Sequence, residues 1–198
     1  MTPQELRDLY GYPSERAAQK EITIFDHHCR AIIAASPFVI MATSGANGLD
    51  LSPKGDPIGF VHVEDDKTLL IPDRPGNNRI DGLLNIASDP RVALLFMIPT
   101  VTETLRVNGL AEITADPEIC DRFAINGRSP KTVTKVTATQ IFTHCGKAPM
   151  RAGLWNPDTW PDKRPVGTLY EMVRDHAQLP VDTTDQAAIE KMYKSELY

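Results

Sequence analysis

The chain has 198 residues and a formal charge of -5, from 21 Lys and Arg against 26 Asp and Glu. With 41% hydrophobic and 24% charged residues, it reads as a globular chain long enough to bury its own core, not as a disordered one. The acidic balance argues against a general nucleic-acid binder. The longest apolar run, the seven residues Val92 to Ile98, falls far short of the roughly 20 that a bilayer-spanning helix needs.

Met1 to Arg7 carries no apolar stretch of the signal-peptide kind, which predicts a cytoplasmic protein. Apolar residues Ala18, Ile22, Phe25, Cys29 and Ile32 then recur at steps of four and three, predicting a helix between Ser14 and Ser36-Pro37. Phe38 to Ser44 reads as a strand, and Asn47-Gly48 as the hairpin turn to a return strand beginning near Leu49. Ser52-Pro53-Lys54-Gly55-Asp56-Pro57 interrupts that strand, which resumes from Ile58 to Val63, and Thr68 to Ile71 pairs back. Ile80, Leu83, Leu84 and Ala87 form the apolar stripe of a helix within Asn77 to Asp89. Arg91 to Ile98 and Glu103 to Ala115 read as strands, the second with Leu105, Val107, Ala111 and Ile113 on one face. A helix opens at Asp116-Pro117 and closes at Asn126-Gly127, and Val133 to His144 is a Thr-rich strand. Two helices follow, Val166 to Ala177 and Thr184 to Leu197, with Thr183 and Gln186 as a capping box. About six strands with short turns, punctuated by 16 prolines, predict a mainly β protein, a small antiparallel barrel with added helices.

Three stretches at strand ends could carry chemistry. Ser52, Pro53, Lys54 and Gly55 would form a bulge that re-aims side chains and frees backbone N–H groups, or an ordinary edge irregularity. Pro72-Asp73-Arg74-Pro75-Gly76-Asn77-Asn78-Arg79 leads into a helix, so its end offers unpaired N–H groups beside two permanent cations. That is a geometry for phosphate, unless Arg79 only reaches into solvent and an asparagine caps the helix. Lys147, Arg151 and Trp155 lie in a loop that could stack on a planar anion or simply dock on the barrel. Three widely spaced cysteines, Cys29, Cys120 and Cys145, build neither a disulfide framework nor a four-thiolate zinc site. His27-His28-Cys29 also lacks metal-ligand spacing, so no metal is expected. Nucleophile-elbow, Walker and zinc-protease motifs do not occur.

The segment Gly76-Asn77-Asn78-Arg79, a short helix, and the strand after Asp89-Pro90 resemble the phosphate-binding turn, helix and strand of the pyridoxamine 5′-phosphate oxidase superfamily. Together with Ser52 to Asp56 and Leu105-Arg106-Val107-Asn108-Gly109, they resemble a bacterial branch of FMN-dependent enzymes of unknown substrate, over approximately residues 15 to 160. The resemblance implies a six-stranded antiparallel FMN-binding split barrel of Greek-key type, as one domain over 1–198. Within it, 1–36 would be an N-terminal helical segment, 37–145 the barrel core and 146–198 the C-terminal loop and helices. It implies a homodimer with FMN at the interface and a small-molecule substrate. Asn78 and Arg79 would sit at the phosphate, with Pro72, Asp73, Arg74 and Asn77 in the same turn and Lys54 as a further cation. Ser52 to Gly55 would run along the ring, Arg106 would belong to the third motif, and Lys147, Arg151 and Trp155 would come from the second subunit. The C-terminal Arg-x-His segment that the oxidase uses for its own substrate does not occur here. The expected activity is two-electron transfer through FMN, with no side chain singled out as catalytic. The alternative is a binding protein without turnover, for flavin, haem or a deazaflavin.

Overall fold

In the computed structural model, which describes residues 1–46, 48–180 and 186–198, the N-terminal stripe is two helices and not one. Thr2 caps α1 (Pro3–Tyr10), an element the hydrophobic pattern does not announce, in a reciprocal capping box with Glu5. Ser14 caps α2 (Glu15–Gln19), and Asp26 caps α3 (His27–Ala35) by accepting the Cys29 N–H at 2.8 Å. Between them the backbone of Ile22 exchanges hydrogen bonds with Ile141 at 2.9 and 2.8 Å, an extended pairing that no helix can make. Tertiary pairing has overridden the helical spacing.

Seven strands follow: β1 (Phe38–Gly45), β2 (Gly48–Gly55), β3 (His62–Val63), β4 (Thr68–Pro72), β5 (Arg91–Met97), β6 (Thr104–Thr114) and β7 (Val133–His144). All pairs are antiparallel, in the order β2-β1-β5-β6-β7-β4-β3. The expected six-stranded split barrel is thus corrected to seven strands in one open sheet, because β2 and β3 form the two edges and do not pair. The meander β5-β6-β7 with β4 beside β7 is a Greek key. The bulge expected at Ser52 to Gly55 is also corrected. Met41 faces Ser52, Ile40 faces Pro53 and Val39 faces Lys54 in unbroken register. Pro53 is tolerated because β2 is an edge strand, where a missing N–H can face outward. The register shift lies instead at Asn108/Gly109 of β6, where a Cβ on Gly109 would come within 2.3 Å of the Thr137 carbonyl. Of the segment from Ile58 to Val63, only the last two residues are a strand. The hairpin residue Asn47 and the expected cap Thr183 lie outside the described residues.

The core joins Phe25, Cys29 and Ile33 under the sheet with Val39, Met41, Leu69, Ile71, Phe96, Leu105, Val107, Val136 and Ile141. Strands from both halves of the open sheet share this one cluster, so the sheet curls around it. Helix α4 (Asp81–Ser88) starts later than expected and turns Asn85 and Ile86 inward, leaving Leu84 exposed. Asn85 Nδ2 donates to Thr43 Oγ1 at 3.2 Å and to the Gly48 carbonyl at 3.4 Å, while Ser44 Oγ donates to Asp89 at 2.8 Å. A buried amide is thereby satisfied, and α4 is pinned to the β1–β2 hairpin. The helix expected from Asp116 shortens to α5 (Pro117–Cys120) plus a 3₁₀ turn, Asp121–Phe123. After β7 come α6 (Lys147–Ala152), α7 (Leu169–Ala177), with its own Thr168–Glu171 capping box, and α8 (Gln186–Ser195).

Candidate functional site

Curling of the sheet leaves a cleft of about 1040 Å³ between β2, the end of β4, the start of α4 and the C-terminal residues. Alternation along β2 turns Asp50, Ser52 and Lys54 inward and leaves Leu49 and Leu51 exposed on the other side. At the far wall Pro72 of β4 pairs with Val133 of β7, and the Asp73 N–H donates to the Thr132 carbonyl at 3.0 Å. That ladder places Arg128, Ser129, Pro130 and Lys131 beside the Asp73 to Gly76 turn.

The turn itself is strained. Asn78 has φ 59° and Ile80 has φ 50°, both left-handed, and a β-branched residue rarely adopts that conformation. Asn77 Oδ1 accepts the Arg79 N–H at 3.1 Å, which folds the chain back before α4. Ile80 occupies the N-cap position of α4 and offers no capping side chain, so the first-turn N–H groups have no side-chain cap where the helix meets the cleft. Open space surrounds Gly76, whereas a Cβ on Gly82 would come within 3.0 Å of Asp50.

Charges on the walls fall into two kinds. Arg74 and Asp56 form a buried pair at 2.5 Å, their side chains 17% and 1% exposed, and Arg74 also donates to the Phe123 carbonyl at 2.8 Å. Arg74 therefore braces the wall more than it faces a ligand. Lys54 reaches across from β2 to Asp73 at 2.9 Å, half-buried, and so ties the two sides of the cleft. Arg79 pairs with Asp81 at 2.8 Å but is 75% exposed, a weak contact that can be exchanged for another anion. Lys131 is exposed on the same rim.

The structure thus brings together Ser52, Pro53, Lys54, Gly55, Pro72, Asp73, Arg74, Asn77, Asn78 and Arg79 around one cleft. It does not bring Arg106, Lys147, Arg151 or Trp155 to that cleft. Arg106 lies over the Phe142 ring at 4.7 Å, near the opposite end of β7. The indole N–H of Trp155 donates to the Val101 carbonyl at 2.9 Å, and Arg151 Nε donates to the Lys147 carbonyl at 3.2 Å. A Cβ on Gly146 would meet Thr102 at 2.3 Å, so the loop is packed on the β5–β6 connection of its own chain. Along twelve residues of β7 the two ends are roughly 40 Å apart. Sequence reasoning missed Arg128, Lys131 and Tyr198. Pairing β4 with β7 would have revealed the first two, but nothing in the sequence marks Tyr198.

The donor set suits a phosphate group. An uncapped helix start, two asparagines and an exposed arginine adjoin, and the cleft is on the scale of small-molecule sites, about 300–1000 Å³.

The profile of the family described as Pyridoxamine 5'-phosphate oxidase matches residues 25–145, which is more than half of the chain. No curated protein matches. Among solved structures, the chain is similar to HupZ of Group A Streptococcus at 22% identity, covering 60% of this chain and 93% of that one with a TM-score of 0.49. It is also similar to General Stress Protein 26 of Bacillus anthracis at 18% identity, covering 58% and 88%, TM-score 0.46. A third is the FAD binding protein of Mycobacterium smegmatis at 18% identity, covering 62% and 97%, TM-score 0.43. By its profile match, the chain belongs to the pyridoxamine 5'-phosphate oxidase family.

Proposed function

We propose that this member of the pyridoxamine 5'-phosphate oxidase family binds FMN in the cleft and serves as an FMN-dependent oxidoreductase for a small substrate. The observation that carries the reading is the strained Gly76 to Asp81 turn, which opens the uncapped start of α4 onto the cleft with Arg79 beside it. Strain of this kind persists where the surrounding structure holds it, and it clusters at ligand sites. Arg79 and the first-turn N–H groups of α4 would hold the phosphate, with Arg79 leaving Asp81 for it, and Lys131 would add a second cation. Ser52 to Gly55 of β2 would lie along the ring system, with Lys54 held in place by Asp73. When bound, the flavin supplies the two-electron chemistry, and the protein's part is position, hydrogen bonding and exclusion of water.

A homodimer completes this reading. Leu49 and Leu51, on the face of the free edge strand turned away from the cleft, are 90% and 67% exposed, and Ile58, Ile80 and Leu84 are exposed as well. A second copy would cover that surface by two-fold symmetry. Lys147, Arg151 and Trp155, which do not reach the cleft of their own chain, would then serve the neighbour's. Haem fits less well: among the described residues that line the cleft there is no histidine, cysteine or methionine to ligate iron, and Tyr198 already donates its hydroxyl to Asp56.

Purified protein should carry, or take up, one FMN per chain, with flavin absorption bands that shift on binding. Steady oxidation of a reduced nicotinamide cofactor under air would support turnover. Tight flavin binding without turnover across a panel of donors would favour the binding-protein alternative.

A further inference from the structure

Ser195, the last residue of α8, and the three residues after it, Glu196 to Tyr198, line the same cleft as the Gly76 to Asp81 turn. Tyr198 is held there by three contacts from three separate connecting segments. Its hydroxyl donates to Asp56 Oδ1 at 2.6 Å, the Arg74 guanidinium lies 5.6 Å from the centre of its ring, and Arg128 donates to its carbonyl at 2.8 Å. Asp56 is the buried partner of Arg74, so the phenol docks on a fixed ion pair and not on a mobile surface group. A cleft of about 1040 Å³ is present with the segment seated, so the segment is a wall of the cavity and not its filling.

We propose that residues 195–198 form a wall of the flavin site contributed by the same chain, and that the Tyr198–Asp56 latch sets how long the flavin is retained. The inference rests on the flavin reading above. It assigns Tyr198 as a positioning residue: its ring borders the cleft, its main-chain oxygen holds Arg128, and removal of the hydroxyl takes away one of the segment's three ties without touching the core. A hydrogen bond from a neutral hydroxyl to a carboxylate is among the stronger kinds, so its loss should be visible in rates.

The test compares the full chain with Tyr198→Phe and with a chain truncated after Lys194. The first readout needs no flavin: amide hydrogen exchange of the 195–198 segment. Protection in the parent and roughly tenfold faster exchange in Tyr198→Phe are expected; equal exchange overturns the latch. The second is FMN release on dilution, followed by fluorescence, with iodide quenching of the bound flavin. Release should be roughly tenfold faster in Tyr198→Phe and at least as fast in the truncated chain, with quenching increased in both. If FMN binds and all three proteins release it at one rate, the wall has no part in retention and the proposal fails. If the parent binds no FMN, the flavin reading fails and the retention role goes with it, while hydrogen exchange still decides whether the latch exists.

Discussion

At His62, Cys29 and Cys120 burial is the largest influence on the pKa of the single residue. His62 stacks on Phe123 with ring centres 4.2 Å apart, and burial, helped by the charge of Arg122, holds its pKa below the ordinary 6.5. A lowered folded value means the unfolded chain takes up the proton first, so this contribution to stability is full above 6.5 and is lost as pH falls from there toward the folded value. Urea unfolding between pH 8 and 5 should show stability declining below 6.5, by at most about 1.4 kcal/mol per pH unit for one proton. His62→Gln should flatten that limb; an unchanged slope would show that another group titrates there. A second limb follows below about 4, where the unfolded chain's carboxyls take up protons while folded Asp26, Glu64, Asp65 and Glu171, all lowered chiefly by hydrogen bonds they accept, resist protonation. Burial also pushes the Cys29 thiol up to about 11 and raises that of Cys120, whereas Cys145 is exposed. A chromogenic disulfide reagent at pH 8 should therefore titrate one thiol in the native chain and three in urea. More than one fast thiol would mean that the α3 or α5 surroundings open readily. At the basic turn the sequence left a choice between a phosphate site and a helix start capped by asparagine; the fold puts Ile80, which offers no capping side chain, at that position. The pairing of Arg74 with Asp56 was not legible in the sequence, since only the fold brings β4's end to the residue after β2.

Among elements, α4 decides the shape of the cleft, and its docking depends on close approach to β1. A Cβ on Gly45 would lie 2.3 Å from Asn85 Oδ1 and 3.0 Å from Asn85 Cα, so Gly45→Ala must push the helix away. It should cost about 1–3 kcal/mol of stability, as overpacking does, and also weaken FMN binding. Gly109→Ala, which puts the same atom against the Thr137 carbonyl at the β6 bulge, should cost a similar amount while leaving FMN affinity unchanged. Chemical denaturation with parallel FMN titration separates the two; equal effects on affinity would show that α4 docking does not shape the site. Strand existence was largely legible: β7 appears with both ends as expected, from a stretch rich in threonine and apolar residues. The Pro-Lys-Gly of β2 misled, because proline signals interruption in a paired strand but is compatible with an edge. Whether a strand lies at an edge is a property of the whole sheet. The same blindness explains α3 and the segment before it, where helical spacing was outweighed by a bridge from Ile22 to Ile141.

On the scale of the whole molecule, the seven-stranded open sheet leaves an exposed edge with outward leucines, a surface that natural proteins usually cover. Light scattering at micromolar concentration should give twice the chain mass, and Leu51→Lys should shift the protein toward monomer. A parent mass near 22 kDa would contradict the dimer. Mixed dimers of Arg79→Ala chains with Trp155→Ala chains should regain one intact flavin site. If both lesions fall in the same chain's site, the loop does not act across the interface. Closure was overestimated from the sequence because strand count and proline content describe turns, whereas closure depends on whether the first and last strands of the sheet pair.

The central claim is that the Gly76 to Asp81 turn and Arg79 hold a phosphate at the start of α4, within a flavin-sized cleft. It is tested most directly by titrating the protein with FMN and with riboflavin, which differs by that phosphate alone, for both the parent and Arg79→Ala. The parent should bind FMN tenfold to a hundredfold more tightly than riboflavin, as expected for a charged hydrogen bond of about 1.5–3 kcal/mol. Arg79→Ala should lose most of that preference while keeping its affinity for riboflavin. Equal binding of the two flavins by the parent, or a preference that survives in Arg79→Ala, would contradict the assignment.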